Sequence, residues 1–311
     1  MYDVHTHFIP DEVISWLRDN QVRVNAKWEK KDPAKAEFLT VNGKWSFELK
    51  DTFVQENLYI SEQQRAGVIQ SLISPIPQLF LYEFSADMTE ELSKVYNDAL
   101  ADMSIRHDSV YALASLPLND PALAADELNR AMSAGLKGAI IGPGISDKLL
   151  THPDFIPLWE EAHRLGAILF IHPLLCEDPR LKNRMMPNLI GVPWETTVCS
   201  ADILLSGWLD KYSNAKVLLA HGGGFLPYQI GRLNKGSEQW KAVSSALQAP
   251  PVEYLKRFWF DTVLWNTDAL QYLIDLAGEE QVVPGSDFPF DLCAWPPQFE
   301  GAAGFQRLIG G

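Results

Sequence analysis

Two histidines one residue apart, His5 and His7, stand in the first apolar run of the chain, YDVHTHF. Residues two apart on a strand project to the same face. On a face that turns inward, two imidazoles need partners, because burying polar groups unpaired is costly. A shared metal ion satisfies both; a pair of hydrogen-bonded core histidines is the plainer alternative. Three more residues occur in the same setting, at the C-terminal end of an apolar run. His172 ends AILFIH and precedes Pro173, His221 ends KVLLAH and precedes three glycines, and Asp287 follows QVVPGS and precedes Phe288 and Pro289. His107, His152 and His163 lie among charged residues and read as solvated side chains. Neutral imidazole and carboxylate are suitable ligands for zinc, and also for manganese or iron. Catalytic zinc keeps a position open for water and lowers its pKa to about 7. His221 is the candidate base, since an imidazole titrates in the working range. The glycines at 222–224 allow a sharp turn and a close approach of substrate.

Such a site needs a frame that gathers strand ends. Short apolar, β-branched runs at 3–8, 68–74, 110–116, 138–142, 168–172, 216–221, 259–263 and 282–287 predict eight strands. Amphipathic patterns at 90–106, 121–134, 153–165, 196–211 and 267–276 predict helices between most of them. Near-continuous apolar strands suit a parallel sheet buried on both faces. Eight of them alternating with helices predict an α/β fold of the TIM type, a closed (β/α)8 barrel, whose active sites form at the C-terminal strand ends. An open doubly wound sheet is the alternative, weakened because no glycine-rich nucleotide fingerprint follows the first strand. Residues 10–56, rich in charges and aromatics, predict an insertion after strand one that forms a cap or small subdomain. Little helical pattern remains in 292–311, which predicts a short or missing final helix. One domain is expected over 1–311, with no internal repeat.

The 311 residues are 47% apolar, enough to fill a barrel and the layer beneath its helices. A net charge of −14 argues against nucleic acid and membrane surfaces as partners. An anionic substrate would need a locally positive site, which a metal and a few arginines supply. Three cysteines without close spacing read as reduced thiols in a cytoplasmic protein. The N-terminus carries neither a basic nor an apolar targeting segment.

The pattern of His-x-His on strand one, His on strands five and six and Asp on strand eight resembles the signature of the amidohydrolase superfamily. Within its amidohydrolase-related (amidohydrolase 2) family, HGGGFLPYQIGRL (221–233), GSDFPF (285–290) and FIHP (170–173) are similar to the metal-dependent decarboxylases typified by 2-amino-3-carboxymuconate 6-semialdehyde decarboxylase. The resemblance covers nearly the whole chain in its order of elements. It implies one divalent metal, zinc first and manganese second, held by His5, His7, His172 and Asp287. It implies that His221 activates water or polarises the substrate, and that Asp287 also shuttles a proton to substrate carbon. Binuclear relatives carry a bridging lysine at the end of strand four; here Lys137 is at the opposite end, so one metal is expected. Arg232 matches the arginine that grips a substrate carboxylate across a dimer interface, which implies a homodimer; an ordinary surface ion pair is the alternative.

The chain also departs from that pattern. KWSFELKDTF (44–53) has no arginine where the family places a second one, and Lys44 and Lys50 offer only point charges. Arg184, in KNRMMP (182–187), falls where the family places a pocket tryptophan. It and Arg180 read as substrate contacts or as loop-surface charges. The expected function is non-oxidative decarboxylation of a carboxylated aromatic or muconate-type acid. The alternatives are a hydrolase or hydratase of the same superfamily acting on a lactone, amide or unsaturated acid, and a non-catalytic barrel.

Overall fold

The computed structural model describes residues 1–310. Strand β1 (Tyr2–His7) leads into helix α1 (Asp11–Asp19) and a small antiparallel sheet of β2 (Lys27–Glu29), β3 (Phe38–Val41) and β4 (Trp45–Glu48). The chain then alternates through α2 (Glu56–Arg65), β5 (Gln70–Ser74), α3 (Ala86–Arg106), β6 (Val110–Ala112), α4 (Pro121–Ser133) and β7 (Gly138–Ile141). A hairpin of β8 (Gly144–Ile145) and β9 (Lys148–Leu149) precedes α5 (Ile156–Leu165) and β10 (Ile168–Ile171). The rest runs α6 (Val192–Leu205), β11 (Lys216–Leu219), α7 (Leu226–Gln239), β12 (Phe258–Asp261), α8 (Thr267–Ala277), β13 (Val282–Val283) and α9 (Ala302–Ile309).

The parallel strands β1, β5 and β6 form one ladder, and β7, β10, β11, β12 and β13 another. Two seams join them. Ala114, just past β6, accepts from Ile140 N–H and donates to the Gly138 carbonyl, both at 2.9 Å. On the other side Val4 N–H donates to the Pro284 carbonyl (2.8 Å), and Asp287 N–H to the His5 carbonyl (2.7 Å). The eight strands therefore close into the predicted barrel.

One irregularity sets up the site. Asp3 pairs with Ser71 and Thr6 with Ile73, so Val4 and His5 together oppose Leu72. This bulge turns two consecutive residues to the same side. Val4 packs in the barrel interior with Leu72, Leu113, Ile140 and Leu218, and the His5 ring lies 5.0 Å from Phe170 there. Asp3 and Thr6 face outward, bonding Ser286 and Tyr59.

The inserted segment folds onto the barrel and shares its core. Val13, Leu17, Leu39, Val41 and Phe53 are all buried in the same apolar cluster as the outer faces of the strands. The final helix is present but short. It lies across the N-terminal end of the barrel: Phe305 stacks on Tyr2 at 4.3 Å, and Lys216 Nζ donates to the Leu308 carbonyl at 2.7 Å. Phe305 and Leu308 join the interior cluster as its floor. The helix predicted over 196–211 is broken at Gly207, whose positive φ of 76° ends α6 before a further turn at Trp208–Lys211. No helix among the described residues is long and apolar enough to cross a membrane.

Candidate metal centre

His5 and His7 project from β1, His172 follows β10 and Asp287 follows β13. One ligand atom from each of these four buried residues lies within 4.8 Å of the others. Each imidazole is held by its Nδ1. That of His5 donates to Asp261 Oδ2 (2.6 Å), that of His7 to the Pro75 carbonyl (3.1 Å), and that of His172 to the Pro173 carbonyl (2.9 Å). Carbonyl and carboxylate oxygens only accept, so the proton of each neutral ring sits on Nδ1 and the bare nitrogen is Nε2. Those three Nε2 atoms and Asp287 Oδ1 are buried without hydrogen-bond partners. Orphaned buried polar atoms are rare, and here the ligand atoms of all four residues are orphaned together. Asp287 Oδ1 is 3.2 Å from His5 Nε2 and 3.3 Å from His7 Nε2. A tetrahedral ion with bonds of about 2.0–2.1 Å would set its ligands about 3.3–3.4 Å apart. The residues fit a buried His/His/His/Asp metal site.

The charges agree with this. Burial disfavours the His5 cation, but the carboxylates of Asp287 and Asp261 outweigh it and push its pKa up to about 10. Burial lowers His7, and lowers His172 well below the usual range. Burial raises the Asp287 carboxyl, but the surrounding histidines hold it well below the usual carboxylate range. The site thus keeps one carboxylate ionised beside two imidazoles, His7 and His172, poised to stay neutral, and a cation can replace the proton that the carboxylates hold on His5.

His221 opens the turn after β11 with φ 54°, and its Nε2 lies 3.8 Å from Asp287 Oδ2. Its ring centroid is 5.2 Å from His5 and 5.4 Å from His172. It stands beside the four residues, at the rim. Arg232, on α7, and Arg184, in the loop before α6, are exposed and border neither the four residues nor the adjoining cavity.

That cavity, of about 430 Å³, opens at the C-terminal end of the barrel. Pro77 and Gln78 on its wall follow the segment that holds His7, and Leu174 and Leu175 follow the one that holds His172. The β3–β4 turn of the insertion closes one side with Asn42 and Lys44.

Sequence reasoning missed two supports. Asp261 ends β12 fully buried, and its carboxylate accepts from His5 Nδ1 and from the backbone N–H groups of His221, Gly222 and Val263. The signal was available, since an aspartate ends the apolar run FWFD just as Asp287 ends its own. Asp3 accepts from Ser286 Oγ (2.6 Å), Ser286 N–H (3.1 Å) and His5 N–H (3.2 Å), pinning β1 to the segment that carries Asp287.

A closed parallel barrel with buried histidines and an aspartate at its C-terminal strand ends defines a metal-dependent barrel protein. The model of the amidohydrolase family matches residues 2–308, and the chain belongs to that family. It is 30% identical over 297 residues to 2-amino-3-carboxymuconate-6-semialdehyde decarboxylase of Dictyostelium discoideum, covering 93% of this chain and 82% of that one. Among solved structures it is similar to the apo form of the IDCase of Metarhizium anisopliae (TM-score 0.82, 22% identity, 99% of this chain and 90% of that one). It is also similar to a dihydroxybenzoic acid decarboxylase of Polaromonas sp. JS666 with bound manganese and the inhibitor 2-nitroresorcinol (TM-score 0.76, 21% identity, 100% and 91%).

Proposed function

We propose that this protein is a metal-dependent, non-oxidative decarboxylase of a carboxylated aromatic or muconate-type acid. The observation that carries the metal is the set of four orphaned ligand atoms at the barrel mouth. The carbon–carbon lyase chemistry draws its support from the decarboxylase relatives. Three imidazoles and a carboxylate suit zinc, and manganese is the ion in the Polaromonas protein. A divalent ion held by His5, His7, His172 and Asp287 supplies Lewis-acid stabilisation of negative charge on the substrate. The bond to the carboxylate breaks, carbon dioxide leaves, and the electron pair takes a proton at the same carbon. The 3.8 Å between Asp287 Oδ2 and His221 Nε2 supports a shared role for the two in delivering that proton. Asp287 passes it to carbon, and His221 holds a substrate oxygen or restores the proton. Arg232 would complete the site from a second copy in a homodimer. It is exposed one helical turn beyond Tyr228, itself 81% exposed, and has no ion-pair partner among the described residues. Arg184 gains no support from the geometry of one chain. We read 1–311 as one domain and the protein as cytoplasmic.

The test combines metal analysis with product analysis. Purified protein should carry about one divalent ion per chain, His5→Ala/His7→Ala none, and the loaded enzyme should release carbon dioxide from a member of an acid panel. Gain of water instead, read as product mass, would transfer the site to a hydrolase or hydratase. A folded protein that refuses added metal would end the enzymatic reading.

A further inference from the structure

The strand next to β1 carries a hydroxyl without a partner. Ser74 ends β5 fully buried, and its Oγ makes no hydrogen bond among the described residues. Buried polar atoms are seldom left so, because a group taken from water without a partner costs its full desolvation. Alternation along β5 gives its direction. Leu72 packs in the barrel interior with Val4 and Ile73 in the layer outside, so Ser74 points inward again. Its register partner on β1 is the metal-site residue His7. Neighbouring strands lie about 4.8 Å apart, and both of these side chains face the lumen. The other surroundings are apolar. On the β6 side Leu113, whose N–H donates to the Ile73 carbonyl (2.8 Å), is buried in the interior cluster, and Leu72 and Val4 lie beneath. The His7 ring gives its Nδ1 to the Pro75 carbonyl and turns its bare Nε2 to Asp287 Oδ1, 3.3 Å away. The direction left to the Ser74 hydroxyl leads toward those ligand atoms, where an oxygen held by the ion on the His7 side would give it an acceptor. The other orphaned hydroxyl among the described residues, that of Tyr212, belongs to a ring stacked on Trp159 of α5, in the helical layer.

We propose that Ser74 is a substrate-binding residue, whose hydroxyl donates a hydrogen bond to the anionic substrate oxygen that the ion binds beside His7. It adds to the ion's attraction a directional contact that a weak acceptor such as sulfur cannot use. The inference rests on the metal-dependent decarboxylase reading above, and deepens it by naming a further residue of the same site.

The experiment uses the full chain loaded with cobalt(II), whose visible absorption reports each ligand that joins the ion. The probes are acetate and 2-hydroxybenzoate, which bring an anionic oxygen, and methanethiol, whose sulfur accepts hydrogen bonds weakly. Ser74→Ala should bind the two oxygen ligands about tenfold or more weakly than the parent, the loss expected for a hydrogen bond to a charged acceptor. Its affinity for methanethiol should stay within about threefold. Ser74→Thr, which keeps the hydroxyl, should restore binding of the oxygen ligands. Cobalt affinity and Tm should match the parent in both variants. An equal loss for all three probes, or a matching loss of cobalt affinity, would give Ser74 a structural role and overturn the inference. Unchanged acetate affinity in Ser74→Ala, or a folded Ser74→Thr as weak as Ser74→Ala, would overturn it too. Oxygen-ligand binding that depends on the hydroxyl, in a protein that releases no carbon dioxide from any acid, would uphold the inference and defeat the decarboxylase reading. Carbon dioxide release with Ser74→Ala indistinguishable from the parent would do the reverse. A chain that takes up no cobalt would overturn both.

Discussion

Replacing Asp261 by asparagine tests whether the metal site depends on the carboxylate behind it. The Asp261 carboxylate accepts four bonds: Oδ2 from His5 Nδ1 (2.6 Å) and His221 N–H (3.0 Å), Oδ1 from Gly222 N–H (3.0 Å) and Val263 N–H (3.1 Å). An amide has one accepting oxygen. Whichever way it is turned, its NH2 faces two donors, so at least two bonds are lost together with the charge. Breaking a buried ion pair of this kind costs about 3–5 kcal/mol of folding stability. Loss of the group that orients a ligating histidine lowers metal affinity by about 10–100-fold. Proton competition acts in the opposite sense. In the parent, binding must expel a proton from His5, whose pKa is pushed up to about 10, so affinity rises about tenfold per pH unit below that value. The variant has lost one of the two carboxylates that hold the proton, so its curve should flatten at lower pH. Competition with a chromogenic chelator from pH 6 to 9 should therefore show a deficit in Asp261→Asn that widens as pH rises. Parallel curves for parent and variant would refute the assignment of Asp261 as the group that sets His5. Linkage gives a second readout on protein stripped of metal. His5 is raised above its ordinary 6.5, so its contribution to stability is complete below pH 6.5 and lost as pH rises through about 10. That slope should be shallower in the variant.

Two further substitutions probe the frame. Gly224 has φ 62° and ψ −125°, and an added Cβ would lie 2.2 Å from the Pro193 carbonyl oxygen. Gly224→Ala should cost more than about 2 kcal/mol and displace His221, lowering kcat more than metal content; wild-type turnover would refute it. Phe305→Ala empties the floor of the barrel and should cost about 3–5 kcal/mol by chemical denaturation, with the metal site intact in the molecules that remain folded. A loss below about 1 kcal/mol would mean that α9 does not seal the barrel.

The strand ends were legible because a histidine or aspartate closing an apolar run is a costly exception to burial, and that exception marked His5, His7, His172 and Asp287. The bulge in β1 was not legible. Strict alternation in YDVHTH puts Asp3 on the same face as His5 and His7, whereas the two-against-one register sends Asp3 outward to Ser286. Extra twist at one residue leaves no trace in composition. The sheet of the insertion escaped for a different reason: its strands are three and four residues long, too short for a period to stand out. The final helix was underestimated because eight residues between glycines give a weak pattern, although Phe305 and Leu308, three apart, mark its buried face.

The position of His172 explains why the barrel and the metal site stand or fall together. Around the ring the strands run β1, β5, β6, β7, β10, β11, β12 and β13, so β10 is opposite β1. His5 and His7 can meet each other on any strand, and Asp287 reaches them from the neighbouring one. His172 reaches them only across the lumen, with its ring 5.0 Å from His5 and 5.4 Å from His7. Phe170, two residues before it, supplies the apolar layer directly beneath, 5.0 Å from the His5 ring. An open sheet of the same strands would hold β10 and β1 several strand spacings of about 4.8 Å apart and leave His172 out of reach of His5 and His7. The four orphaned atoms therefore argue for closure as strongly as the backbone seams do. The same closure gathers the four residues above a packed interior, at the end of the barrel where the β3–β4 turn and the loops after β5, β7 and β10 wall a cavity.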